Sequence, residues 1–494
     1  MKMTFHRTDE GTPLVALARA NLDAIPVAIA RPRYAPAQVK TGIVHFGPGA
    51  FHRAHQAVYI DDLLARDPRW GICEVALKTS GVRDALASQD GLYTLVELGE
   101  QTQARVIGAL TELLVARESH DTVLARLASP QTRAVTMTVT EHGYCLTRQG
   151  ELDTTRSEIK HDLADPANPV SLVGWLAEGL RARRDADLPA FSTISCDNLV
   201  DNGVRLKRAV VQYARESDAD LARWIEETAP FPRTMVDSIV PATNDTLRDY
   251  VRMQLGLKDA WPVQREAFAQ WVVEDLPGSA AAEWKDVGVT VTTDVASYDR
   301  AKLRLLNGPH STLAYVGSLF GFATVLDAMK EPALARFVER LMREDIMPTL
   351  KPPAEFDLPH YIDSVLARFR NPAMCHYLSQ IVWDGSQKLG PRLLGTIADA
   401  LAAGRPLDRL AVPVAAWMRF VRLRTKENFA IVDPMAKELK AIASGCENKA
   451  ATDVPRFLAV DAVFPRKLAV NAQFVASVSR AYDALSRGLA AALE

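Results

Sequence analysis

Between Thr41 and Ser195, short apolar runs alternate with longer stretches whose apolar residues recur at helical spacing. Gly42–Phe46, Trp70–Leu77, Ala134–Val139 and Ala190–Ser195 are rich in β-branched and aromatic residues and too short for helices, which predicts buried strands. Tyr93–Leu98 and Ala104–Gly108 read as a strand pair. Helical spacing covers Ala54–Arg66, 119–128 and 170–184. Strands separated by helices predict a parallel sheet covered on both faces. Residues 1–40, with prolines at 13, 26, 32 and 36, are expected to be irregular and to wrap the first domain. After about residue 295 the strand-like runs fade, and i, i+3, i+4 patterns take over at 312–329, 333–345, 388–402, 407–422 and 473–492. Prolines at 348, 352, 353, 359 and 372 punctuate this region. The pattern predicts an α/β domain over 1–294 and a mostly α-helical domain over 295–494.

The chain has 494 residues, more than one ordinary core accommodates, so two or three domains are expected. Its 58 basic and 60 acidic residues leave a net charge of −2, which gives no bulk attraction to nucleic acid or membrane. No apolar run approaches the ~18 residues of a membrane span. The first residues, with Lys2, His6, Arg7 and Asp9, lack the apolar core of a signal peptide. The five cysteines (Cys73, Cys145, Cys196, Cys375 and Cys446) are dispersed without a C-x-x-C pair, which reads as reduced thiols and not as a disulfide frame or zinc site. A cytoplasmic enzyme without a metal is expected.

Gly47-Pro48-Gly49-Ala50-Phe51-His52-Arg53 follows the first predicted strand and opens a helix. A glycine turn in that context cradles a dinucleotide pyrophosphate: Gly47 permits the tight turn and Gly49 lets backbone amides approach the phosphates. His52 stands where the usual fingerprint has its third glycine. A carboxylate at the end of the second strand would favour NAD over NADP, but the chain reads Leu77-Lys78-Thr79-Ser80, with Arg83 nearby and Glu74 inside the strand. On these residues NAD and NADP both remain open.

Lys302, Asn307 and His310 stand at i, i+5 and i+8 among Leu303, Leu305 and Leu306. At about 100° per residue the three fall within an arc of roughly 140° on a helix. An ammonium, an amide and an imidazole in one cavity suit metal-free work on a carbonyl or alcohol: proton exchange by Lys302, polarisation by Asn307, orientation by His310. A mixed polar face of an amphipathic helix has the same spacing. Pro309 frees the carbonyl of Leu305 and can restart the helix, in which case Asn307 is an N-cap.

Gly47 through His55, Thr138-Val139-Thr140-Glu141, Ser195-Cys196-Asp197-Asn198 and Lys302–Ser311 together resemble the mannitol dehydrogenase family, in the same order, from about residue 40 to about residue 490. Trp70–Val75, Lys160–Leu163, Gln380–Lys388, Trp417–Arg419 and Ile431–Met435 are most similar to its fructuronate-type branch. The resemblance implies a Rossmann-type N-terminal domain, a helical C-terminal domain, and metal-independent hydride transfer between nicotinamide and a ketose-type carbonyl. It implies Lys302 as general acid/base, Asn198 and Asn307 as the amides polarising the substrate oxygen, and His310 beside them. Asp237, Lys388 and His310 are implied in the substrate pocket, Asp299 in proton exchange with solvent, and Phe46, Gly47, Gly49, Ala50, Phe51, Arg53 and Thr140 in the cofactor site.

Three arginines of the fructuronate-type pattern are replaced here by Ser238, Ala269 and Tyr377, and arginine is the natural bidentate partner of a uronate carboxylate. The Arg and His that polyol-type members carry before Asp384-Gly385-Ser386 are Gln380 and Trp383, so the pocket matches neither branch cleanly. The expected activity is NAD-dependent interconversion of a keto-hexuronate and its reduced acid (fructuronate and mannonate). A neutral pair such as mannitol/fructose or arabinitol/xylulose is the alternative. A small-molecule sugar acid or polyol is the expected partner, in a monomer or small homo-oligomer.

Overall fold

A computed structural model describes residues 14–99, 101–147, 149–254, 256–374 and 376–493. The N-terminal residues through Pro13, and Cys375, lie outside the described residues. The chain divides into two compact units, Met1–Val295 and Ala296–Glu494.

The first unit is built on a five-stranded parallel sheet, in the order Leu110–Val115, Gly71–Ala76, Thr41–Phe46, Ala134–Met137, Ser192–Ser195. Its side chains alternate between two cores, as the period of two requires. Val44, Phe46, Cys73, Val75, Val135 and Met137 join one cluster, which includes Trp175 and Leu176 of the helix Leu172–Asp185. Ile43, Ile72, Ala134 and Ile194 join the other, with Trp70, Trp271 and Trp284. Covering on both faces explains the near-continuous apolar runs. The second face carries polar side chains toward the carboxyl ends of the strands, namely His45, Glu74 and Thr136, all buried.

Tyr93–Leu98 and Gln103–Ile107 pair antiparallel, and Val263–Glu266 extends them on the other edge. A further three-stranded sheet joins Thr234–Asp237, Gln270–Glu274 and Thr290–Thr292. Residues 14–40 lie along this unit: Val15–Ala16 pairs with Leu257–Lys258, and Ala30 bridges Arg105. The single helix expected over Ala54–Arg66 is two pieces, Ala50–Ala54 and Gln56–Leu64, divided at His55 (φ −123, ψ −88). The His55 imidazole Nε2 lies 3.0 Å from the carbonyl of Gln270, a tertiary bond that accompanies the break.

The second unit is helical. Asp408–Lys426 packs Leu410, Val414, Trp417, Met418 and Val421 into its core, against Gly308–Leu319 and Ala472–Arg487. Four predicted helices are interrupted, the 473–492 stretch at Gly488 (φ +129). The 312–329 stretch breaks after Leu319 through Gly321 (φ +80) and restarts at Val325 under a Thr324 cap. The 333–345 and 388–402 stretches each contain a π-helical segment, Leu341–Ile346 and Gly390–Leu394. Lys302–Asn307 is a third. No described helix is long and apolar enough to cross a membrane.

Candidate active site

The glycine turn sits where the first strand ends. Gly47 has φ +100, and a Cβ there would lie 2.2 Å from the carbonyl of Thr138, so only glycine fits. Its own carbonyl accepts a bond from Thr138 Oγ1 (2.8 Å) and lies 3.1 Å from His45 Nε2. At Gly49 a Cβ would meet nothing closer than the Gly47 carbonyl at 3.9 Å. The space beside Gly49 is open, as a cradle for a ligand backbone requires.

That space belongs to a cleft of about 460 Å³ lined by Gly47, Pro48, Gly49, Lys78, Thr138 and Thr140, among others. Its floor is held by Asp197, whose carboxylate accepts from the backbone N–H of Val139 (3.0 Å) and Thr140 (3.2 Å) and from the hydroxyl of Tyr144 (2.6 Å). Thr140 is left-handed at φ +67, a conformation these bonds stabilise. Asn198 follows Asp197 on the exposed turn after the last sheet strand. In the sequence Asp197 stands only as the motif neighbour of Asn198; its place at the carboxyl end of a sheet strand is the signal for its role.

Of the residues expected at the cofactor, Gly47, Gly49 and Thr140 line the cleft, whereas Phe46, Ala50, Phe51 and Arg53 do not. Phe46 alternates inward and packs 6.4 Å from Trp175. Arg53 is 1% exposed; its Nη1 donates to the carbonyl of Trp261 (2.8 Å), and its guanidinium lies over Tyr93 and Trp261. Phe51 stacks on His55, and Ala50 packs beside it against the second core. A helix turn follows Gly49 at once, and it rotates these side chains into the protein. Lys78 lines the cleft, but Arg83 is spent on Asp84 and Glu118. Asp237 ends its strand and is buried, and the neighbouring Ser238 donates to the carbonyl of Phe268 (2.9 Å).

In the helical unit, Lys302 opens the π-helical segment Lys302–Asn307, and Gly308–Leu319 continues as α-helix with Pro309 at its start. The i→i−5 ladder shifts hydrogen-bond register just before Pro309, the residue with no N–H to donate. Such a ladder turns the chain by roughly 85° per residue, which narrows the arc spanned by Lys302, Asn307 and His310 from about 140° to about 65°. The three polar groups therefore converge more closely than a regular helix allows. Asn307 occupies the N-cap position without a side-chain capping bond, so its amide is not consumed there. Lys302 is buried.

His310 stacks on Phe369 (5.4 Å) and lies 5.5 Å from His376. Its Nε2 has no hydrogen-bond partner among the described residues. Burial, and then the neighbouring His376 ring and the cations Arg392, Arg368 and Lys388, hold its pKa well below the ordinary value, so the imidazole is neutral near pH 7. Lys388 lies on the short helix Gly385–Leu389, anchored where Asp433 accepts from the backbone N–H (2.8 Å) and hydroxyl (2.6 Å) of Ser386. Arg392 lies in the adjoining π-helical segment and donates to Ser311 Oγ (2.9 Å). Gly308 makes this approach possible, since a Cβ there would stand 2.9 Å from the carbonyl of Arg392. Neither Lys388 nor Arg392 forms an ion pair among the described residues. Arg392 escaped the sequence reading because only a folded neighbour, Ser311, marks it.

A parallel sheet with a glycine-turn cleft, joined in sequence to a helical unit carrying a lysine–amide–imidazole set, defines a dinucleotide-type dehydrogenase architecture. The mannitol dehydrogenase Rossmann domain matches residues 41–286 and the mannitol dehydrogenase C-terminal domain residues 294–486. The chain belongs to the mannitol dehydrogenase family. It is 41% identical to D-mannonate oxidoreductase of Escherichia coli (strain K12), covering 92% of this chain and 96% of that one. It is 37% identical to mannitol 2-dehydrogenase of Phaeosphaeria nodorum, over 92% and 81%. Among solved structures, Pseudomonas fluorescens mannitol 2-dehydrogenase in ternary complex with NAD and D-mannitol is 36% identical with a TM-score of 0.79, over 97% and 99% of the two chains. Substrate-free D-sorbitol dehydrogenase is 32% identical with a TM-score of 0.89, over 97% and 100%.

Proposed function

We propose that this chain is an NAD-dependent oxidoreductase that interconverts a keto-hexuronate, such as fructuronate, with its reduced acid, mannonate. The observation that carries the acid substrate is the pair Lys388 and Arg392, two cations beside His310 with no ion-pair partner among the described residues. Burial lowers the pKa of both, and a carboxylate would relieve that cost by pairing with them. The glycine-turn cleft supports dinucleotide binding, and the bound nicotinamide supplies or accepts the hydride. Lys302 exchanges the proton of the substrate oxygen, giving it up as the carbonyl is reduced and taking it back in oxidation. Asn307 and Asn198 donate amide N–H groups to that oxygen as charge builds on it. Neutral His310 offers Nε2 to a substrate hydroxyl, and Asp237 contributes to the pocket wall.

A neutral polyol/ketose pair is the second reading. Ser238, Ala269 and Tyr377 carry no charge at the positions of the branch arginines, and mannitol 2-dehydrogenases are nearly as similar as the mannonate enzyme. The test follows NADH oxidation with fructuronate, tagaturonate, fructose and xylulose, repeated with NADPH and with Arg392→Gln. Turnover confined to keto-uronates, with KM raised roughly ten- to hundredfold in Arg392→Gln, is expected from loss of a charged hydrogen-bond partner. Equal turnover of fructose, with no change in Arg392→Gln, would sink the acid reading.

A further inference from the structure

Beneath the glycine turn lies a buried polar cluster that the proposed chemistry does not use. His45, on the central strand, and Glu74, at the matching register position of the next strand, are both wholly buried. His52, one turn into the helix after the glycines, stacks on His45 with ring centroids 3.4 Å apart and planes 16° apart. Its Nε2 is 3.1 Å from Glu74 Oε1. Apart from that ion-pair contact, the Glu74 oxygens have no hydrogen-bond partner among the described residues. His45 Nδ1 is 2.7 Å from Thr136 Oγ1, while its Nε2 reaches the Gly47 carbonyl. That carbonyl can only accept, so Nε2 carries the hydrogen and Nδ1 accepts from Thr136. His45, His52 and Glu74 come within 4.8 Å of one another, but both His45 nitrogens are committed and the two rings stack instead of converging. The geometry suits a proton-holding cluster and not a metal.

We propose that Glu74, His52 and His45 are positioning residues of the glycine turn, and that a dinucleotide binds there with uptake of a proton by this cluster. The inference rests on the proposed dinucleotide reading of the turn. The charged and titratable groups around Glu74 are Cys73 on its own strand, His45 from the central strand, His52 and Arg53 from the helix, and Tyr93 from the neighbouring sheet; Arg53 also faces the Asp259 carboxylate, and Gln56 is neutral. Burial pushes the Glu74 carboxyl up to about 7, and burial pulls His52 down to about 3. Near neutrality both imidazoles are uncharged, so Glu74 is the group of the cluster whose charge changes. Protonation of Glu74 removes one negative charge from beneath the turn. A pyrophosphate on the turn favours the protonated state, so binding raises the affinity of Glu74 for its proton.

The experiment is calorimetric titration of the full chain with NADH at pH 6, 7 and 8.5, in buffers of contrasting ionisation enthalpy. We expect net proton uptake largest near or just above pH 7 and a Kd roughly tenfold weaker at pH 8.5 than at pH 6. Glu74→Gln should abolish the uptake and flatten the pH dependence. A role confined to packing would alter stability and leave the proton count at zero. Tight binding with no uptake by the wild-type chain would overturn the inference without using any variant, as would uptake unchanged in Glu74→Gln. Absence of NADH binding at every pH would instead overturn the dinucleotide reading itself.

Discussion

The two candidate sites are built by opposite means. In the α/β unit the cleft is made of backbone: glycines at 47 and 49, amides at 139 and 140, and a carbonyl clamped by Thr138 and approached by His45. In the helical unit the candidate chemistry is made of side chains, on π-helical segments and the helices beside them: Arg392 and Lys388 without ion pairs and His310 Nε2 without a bond among the described residues. A backbone site tolerates few substitutions because φ/ψ and close approach are at stake. A side-chain site can lose one group and keep its frame, which suits a family that varies its substrates on one fold.

The contrast breaks first at Lys302. Lys302→Ala should lower kcat by about 10²–10⁴-fold while NADH binding stays within about threefold, because a general acid/base contributes to the reaction and not to cofactor affinity. A parallel loss of NADH affinity would mean that the two sites are not separable. Next, Gly47→Ala forces a methyl group against the Thr138 carbonyl at φ +100. Strain of this kind should weaken NADH binding roughly ten- to hundredfold, as measured by fluorescence titration. Unchanged affinity would show that the turn yields more readily than a backbone site should.

The smallest effect sharpens the comparison through pH. Glu74 titrates near 7 when folded, against an ordinary value of 4.5. Between those values the folded chain holds a proton that the unfolded chain has released, so stability falls as pH rises from 4.5 to 7 and then levels. Glu74→Gln should therefore melt a few degrees higher than wild type at pH 8 and at the same temperature at pH 4.5. The same melting difference at both pH values would point to packing alone.

The sheet was legible because strands buried on both faces must be apolar throughout, and the glycine turn because its conformation excludes other residues. The inward turn of Arg53 was not legible: its partner is the carbonyl of Trp261, more than 200 positions away in the chain. Arg392 was hidden for the same reason, and so was the clamp by which Asp433 fixes Ser386, although both segments carried the family resemblance. The break at His55 depends on a bond to Gln270 that no local pattern encodes. Lys302, Asn307 and His310 were found by spacing, but the spacing was read on a regular helix, and the π-helical turn brings them closer together.

That wide turn can be regarded as one extra residue accommodated inside a helix. Removing a single residue between Leu303 and Leu306 would let the segment relax to ordinary helical winding and move His310 by only about 25° relative to Lys302, whereas the same deletion in a regular helix turns the flanking residues by about 100°. Intermediate orientations are not available to a hydrogen-bond ladder. Lys302 is thus indexed against His310 in whole-residue steps, with the wide turn as the slack that takes up one of them. Point substitutions can retune the pocket around it, and one deletion within the wide turn would keep its face, whereas an insertion or a second deletion would turn another face of the helix toward the chemistry.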